Sequence, residues 1–293
     1  MKKSKIYILV NLIVLTAALG LFCFHYNTNL EDIFIFPKGK ILLLAFMVLV
    51  VHLLKAIRLY IAFYGTKIDF ISYLKTYCKV TPVNLLFPYK TGEFFRIYCY
   101  GNLINDYPKS AITVLLDRFM DTSALITFIF ILYCFYGGSL PHLAYVFIVF
   151  LLFVLFAYFI FPGLYKFWRF YFLAAPATDN TLKSLKVLNL MYRLFASVKQ
   201  VVAGRGIILY ILSLMSWGIE LLNISFLTKD NSLQNASVSF FDYLSAALTN
   251  GFCPELRIFI FVSIILLLIF YWFLQIVSFI RKKRCFYENN DCI

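Results

Sequence analysis

Charge is scarce in this chain, and acid is scarcer still. Asp, Glu, Lys and Arg make up 14% of its 293 residues, with 14 acids set against 27 Lys and Arg. Histidine occurs three times, and the seven cysteines, at 23, 78, 99, 134, 253, 285 and 292, form no CxxC pair. Neither a metal-ligand spacing nor a disulfide framework can be read from that set. Most of the cysteines lie in or beside apolar runs, where a free thiol behaves as a small hydrophobe. There is no glycine-rich nucleotide loop, no internal repeat and no stretch with the composition of a soluble catalytic domain, so no metal and no cofactor is expected. The net charge of +13 does not point to nucleic acid, because the basic residues sit in short blocks beside apolar runs and not along one polar face.

What is abundant is hydrocarbon. Apolar residues make up 62% of the chain and the mean hydropathy is +0.85. A soluble domain of this length could not cover so much apolar surface, so the expected fold is all-α and polytopic in a membrane. A crossing needs about 20 apolar residues for about 30 Å of hydrocarbon. Six segments qualify: Ile6 to Phe24, Ile41 to Tyr64, Ala111 to Tyr136, His142 to Phe161, Gly206 to Leu227 and Ile258 to Ile280. The N-terminal Lys2, Lys3 and Lys5 followed by an apolar run could pass for a signal peptide. The run is long, however, and no A-x-A-like site follows it, so a retained first span is expected. With the N-terminus inside, the external loops hold only Lys38, Lys40, Lys229 and Arg257, while the basic blocks, including Arg281 to Arg284, fall inside. That asymmetry predicts N-in and C-in. Residues 1–284 then form one integral-membrane domain, and 285–293 a short cytoplasmic tail.

Two regions do not fit simple spans. The stretch 70–104 is apolar but interrupted by Pro82, Pro88 and Gly92, and neither half is long enough to cross. Two half-helices meeting at a turn would make a re-entrant hairpin from the cytoplasmic side, a device that builds transport sites. An amphipathic pair lying on the membrane surface is the alternative. The segment 162–205 interleaves Lys166, Arg169, Lys183, Lys186, Arg193, Lys199 and Arg205 with Leu, Phe, Tyr and Val. It reads either as a basic amphipathic helix on anionic headgroups or as an ordinary positive-inside loop, with the turn near 174–181.

The residues that break the apolar pattern are the candidate site, because ionisable side chains at bilayer depth are costly and mark functional positions. Glu93 and Arg96 are three apart, and Asp117 and Asp121 four apart, so each pair shares a helix face. Arg118 points one step round. Lys55 and Arg58 stand on the second span, where both could snorkel to the interface, and Glu220 lies within the fifth. Glu93, Asp117, Asp121 and Glu220 face Lys55, Arg58, Lys90, Arg96 and Arg118, which leaves one positive charge over. A surplus guanidinium suits phosphate, whose oxygens it binds bidentately. Gly92 and Thr91 at a helix start would add backbone N–H groups facing an anion. Arg58, Gly92, Arg96 and Arg118 are therefore the expected phosphate contacts. Glu93, Asp117, Asp121 and Glu220 are the expected polar or proton-coupling groups.

At these residues the chain resembles the transmembrane, flippase-like region of lysylphosphatidylglycerol synthases and their stand-alone relatives. The pattern is Arg58, then P-x-x-x-G-E-x-x-R at Pro88, Gly92, Glu93 and Arg96, then an acid–Arg pair and a further acid at Asp117, Arg118 and Asp121. The likeness covers residues 41–136 well and is loose elsewhere. It departs where the family commonly has Glu and this chain has Asp117. It departs again where Asn250 to Glu255 is the only remnant of a glycine-rich P-G-G-x-G-x-x-E stretch. The aminoacyl-transferase domain of the full-length synthases is not found in the sequence. The resemblance therefore implies lipid translocation in a bacterial cell membrane and not aminoacyl transfer.

The first functional expectation is thus a transporter moving an anionic phospholipid or a polyprenyl-phosphate-linked headgroup between leaflets. Two alternatives are an integral-membrane enzyme on a lipid-linked phosphate or sugar, with Asp117 or Glu93 as base, and a membrane subunit anchoring a separately encoded cytoplasmic enzyme. Membrane lipids are the expected partners, with a homo-oligomer left open.

Overall fold

A computed structural model describes residues 2–26, 38–66, 68–87, 91–136, 142–176, 178–227, 233–249 and 254–290, and these form nine α-helices with no strand among them. In chain order they are α1 (Lys2–Tyr26), α2 (Lys38–Ala62), α3 (Phe70–Leu86), α4 (Gly92–Ile104), α5 (Tyr107–Tyr136), α6 (His142–Ala174), α7 (Asp179–Leu227), α8 (Leu233–Thr249) and α9 (Pro254–Asn290). Five of them, α1, α2, α6, α7 and α9, are long and apolar enough to cross a membrane. That is the architecture of a multi-pass membrane protein. Its outward face fits, since Phe153, Phe156, Phe159, Phe170, Trp272 and Phe273 are all exposed. The expected span Ala111 to Tyr136 is helical throughout as part of α5, but α5 is not one of the five.

Between 70 and 104 the chain makes two short helices, as its length allows. At ~1.5 Å per residue, α3 and α4 reach about 25 and 20 Å, each short of the ~30 Å core. Asp69 caps α3 by accepting from the Ser72 N–H at 3.0 Å. Pro82 does not interrupt α3, contrary to expectation: the helix runs through it to Leu86. An interior proline costs ~3 kcal/mol, and here it is offset by packing, because Tyr73, Tyr77, Val80 and Val83 are buried around it. Pro88 and Lys90 lie outside the described residues, as do Asn250 to Cys253. Helix α4 ends on Asn105 in the left-handed region (φ 56°), a conformation asparagine tolerates, with its N–H on the Gly101 carbonyl. Asp106 then caps α5 by accepting from the Lys109 N–H at 3.0 Å.

The segment 162–205 is neither a separate surface helix nor a loop. Helix α6 continues through Pro162 to Ala174, and α7 starts at Asp179. At 33 and 49 residues, these helices are roughly 50 and 74 Å long, well beyond the hydrocarbon thickness. The result is a helical hairpin that carries the basic residues. It is held by Tyr165 stacked on Tyr192 (centroids 4.3 Å apart), by Phe161 against Phe195, and by the Tyr165 hydroxyl on Asn189 Oδ1. The turn falls where AAPATDNT places it, with Thr178 and Thr181 exchanging hydroxyl bonds to each other's N–H.

Helices α2 and α5 both pack along the second half of α7, while α3 packs on α4 and α9. One apolar cluster gathers Val48, Val51, Leu125, Ile129, Ile224 and Phe240. A second gathers Leu59, Phe63, Tyr73, Tyr77, Cys99 and Tyr100. The charged residues of α2, α4, α5 and α7 lie at the level between them.

Candidate functional site

Arg58 is the centre of the charged set and is 1% exposed. Its Nε donates to Asp117 Oδ1 at 2.7 Å and its Nη2 to Asp117 Oδ2 at 3.1 Å, a bidentate fork. Its Nη1 donates to Asp121 Oδ1 and, at 2.7 Å, to Ser213 Oγ. The i, i+4 spacing of Asp117 and Asp121 thus brings both carboxylates to one guanidinium, as the sequence predicts for a shared face. Snorkelling, open to Arg58 from the sequence, does not occur. The register of α2 against α5 and α7 sets Arg58 opposite two acids, and pairing there offsets desolvation. Four of the five N–H groups of Arg58 are thus taken by the protein.

Arg96 and Arg118 are held differently. Arg96 is buried, yet its contacts are long: 3.4 Å from Nη1 to Glu93 Oε2 and 3.6 Å from Nη2 to Asp117 Oδ2. Arg118 Nη2 pairs with Glu93 Oε1, and its Nη1 stands 3.7 Å from Asp121 Oδ2. Among the described residues, neither Arg96 Nε nor Arg118 Nε has a hydrogen-bond partner. Normal N–H···O bonds span about 2.7–3.2 Å, so Arg96 is loosely held while Arg118 is closely paired with Glu93, and each keeps an Nε–H donor that no described group takes. Glu93 bridges them and also accepts from Asn84 Nδ2 at 2.8 Å. The Arg118 side chain is 27% exposed and that of Glu93 17%, so this pair forms an open edge of the set, with Lys55 partly exposed at another point. Exposed apolar residues flank it: Phe94 follows Glu93, and Leu115 precedes Arg118 by three residues on its own helix face.

Glu220 is buried on α7. It pairs with Lys55, and the Tyr243 hydroxyl donates to its second oxygen at 3.4 Å. Lys55 also sits 5.5 Å from the Trp217 ring, whose Nε1 donates to the Asp121 carbonyl at 3.3 Å. The ion pairs thus balance four acids (Glu93, Asp117, Asp121, Glu220) against four cations (Lys55, Arg58, Arg96, Arg118). The surplus charge expected from the sequence rested on Lys90, outside the described residues.

Gly92 has a steric role. A Cβ there would fall 2.5 Å from Asn84 Cα and 3.0 Å from Asn84 N. The start of α4 can meet α3 only with glycine at this position, and that approach sets Glu93 against Asn84. Sequence reasoning passed over Ser213, Asn84, Trp217 and Tyr243. One signal was present: Ser213, Ser216, Trp217, Glu220 and Asn223 recur at three- and four-residue spacing in an apolar run, and all are buried. No protein-family model, curated protein or solved structure matches the chain.

Proposed function

We propose that this protein is a flippase-like lipid transporter, in which a phosphate-bearing headgroup passes the Glu93–Arg96–Arg118 edge while its acyl or prenyl tails stay in lipid. The observation that carries this reading is the contrast between the arginines. Arg58 is pinned by two carboxylates and a hydroxyl, whereas Arg96 reaches its acids only at long range, Arg118 pairs with Glu93 at a partly exposed position, and both keep unpaired Nε–H donors. An incoming phosphate competes with the Glu93 carboxylate for both guanidinium groups. Proton uptake by Glu93, or its swing toward Asn84, frees them. The apolar flank of Phe94 and Leu115 suits a chain that remains in hydrocarbon.

In this reading α5 is the sixth crossing, and α3 with α4 is a hairpin entering from the cytoplasmic side. Both termini and the basic α6–α7 hairpin face the cytoplasm of a cell membrane. The likeness of Arg58, Gly92, Glu93, Arg96, Asp117, Arg118 and Asp121 to the lysylphosphatidylglycerol synthase transmembrane pattern supports the same assignment. Anionic phospholipids and polyprenyl-phosphate-linked lipids are the substrate classes it fits.

The test is reconstitution in liposomes carrying a fluorescent anionic phospholipid in one leaflet. The protein should equilibrate the label between leaflets faster than protein-free vesicles do. No acceleration, together with turnover of a lipid phosphate by the same protein, would reject transport in favour of an enzyme.

A further inference from the structure

A second polar feature lies apart from the charged network. A cavity of about 300 Å³ opens where α2 ends, α5 begins and α7 passes, and its lining includes Tyr64, Lys109, Thr113, Gln200 and Arg205. No acid is among its lining residues. Among the described residues neither Lys109 nor Arg205 forms an ion pair, and the nearby Asp106 carboxylate is used on the Lys109 backbone N–H. Arg205 is held in place: its guanidinium stacks on the Tyr64 ring at 4.2 Å and donates to the Tyr64 carbonyl at 3.4 Å. These two contacts hold the guanidinium against Tyr64 and leave its other N–H groups for an oxyanion.

The position of the cavity also indicates its ligand. Arg205 directly precedes the apolar run Gly206 to Leu227, Lys109 precedes Ala111 to Tyr136, and Tyr64 ends Ile41 to Tyr64. Three apolar runs thus end at this rim, the level at which lipid phosphates lie. Leu116, Met120 and Leu209 separate it from the Arg58 network. At eight residues from Lys109 to Asp117 and from Arg205 to Ser213, the two levels are roughly 12 Å apart.

We propose that this cavity is a second anion site, which takes a phosphate group between Lys109 and Arg205. It does not depend on the transport reading. The phosphate could belong to a lipid headgroup or to a soluble phosphate compound, and the test separates these sources. The full-length protein in detergent micelles is titrated calorimetrically with inorganic pyrophosphate and, separately, with dihexanoyl phosphatidylglycerol. Lys109→Gln and Arg205→Gln should each weaken binding about tenfold, the scale of one charge-assisted contact. Lys166→Gln, on α6 and outside both sites, should leave it unchanged. Pyrophosphate binding supports a soluble source, whereas binding of the short-chain lipid alone supports a headgroup. A melting temperature equal to wild type shows that the variants are folded. Arg205→Lys should retain part of the affinity. Binding of neither probe, or equal binding by the folded Gln variants, would overturn the proposal.

Discussion

Replacing Arg58 with methionine keeps the unbranched apolar stem and removes the guanidinium with its charge. Two carboxylates, Asp117 and Asp121, then lose their closest partner while Asp117 stays fully buried. Breaking a buried ion pair from one side costs about 3–5 kcal/mol, most of it the stranded charge. Arg96 and Arg118 stand 3.6 and 3.7 Å from the orphaned oxygens and can shift to recover part of it, which places the expected loss near the lower bound, about 3 kcal/mol. Removing all three charges in Arg58→Met/Asp117→Asn/Asp121→Asn leaves no stranded carboxylate, but Arg96 and Arg118 then share Glu93 alone, so only part of the loss should return. The assay is reversible unfolding in mixed micelles with increasing denaturing detergent, followed by tryptophan fluorescence. Trp217 reports locally, because its indole N–H is bonded to the Asp121 carbonyl. A single mutant as stable as wild type, or a triple mutant no better than the single, would refute the assignment of Arg58 as a structural pin.

The Lys55–Glu220 pair should respond asymmetrically, because the Lys55 side chain is 25% exposed and that of Glu220 only 2%. Lys55→Met should destabilise more than Glu220→Gln in the same unfolding assay, and the double mutant should recover most of the difference. Gly92→Ala should cost about 1–3 kcal/mol by overpacking against the Asn84 backbone, with the loss seen in thermal stability at any lipid concentration. A Gly92→Ala protein of wild-type stability but impaired lipid binding would return this glycine to the phosphate site. Tyr192→Ala should loosen the α6–α7 hairpin by removing the Tyr165 stack, seen as faster hydrogen exchange across residues 185–200 with little change in α2.

Where the helices lie was legible wherever hydrophobicity had a reason to start or stop. The apolar run from Gly206 falls inside an observed helix, the run from Ile41 overshoots its helix by two residues at Tyr64, and the half-helices either side of Pro88 are both present. The continuation of α6 and α7 past the hydrocarbon was not legible. A helix leaving a membrane can keep its backbone bonds while its composition turns polar, so composition alone cannot separate it from a loop. The stop was instead marked locally, by Pro176 and the Thr178 cap. In the site, local spacing carried over well: Glu93 does pair with Arg96, and Asp117 and Asp121 do share a face. Partnerships across long separations did not. Lys55 and Glu220 are 165 residues apart, and Arg58 and Ser213 are 155 apart. Whether Arg58 snorkels or is pinned depends on helix register, which no local pattern encodes. Gly92 looked like an anion cradle because a glycine at a helix start serves that purpose as readily as close packing.

In the proposed transport cycle the open edge of the charged network, and not its pinned centre, handles the headgroup. Initial rates of fluorescent anionic lipid translocation in proteoliposomes, at matched protein density, test it most directly with Arg118→Gln and Arg118→Lys. Arg118→Gln should fall at least about tenfold, the loss of one charge-assisted contact, while Arg118→Lys keeps an intermediate rate and both proteins unfold near the wild-type midpoint. Wild-type translocation by Arg118→Gln would contradict it.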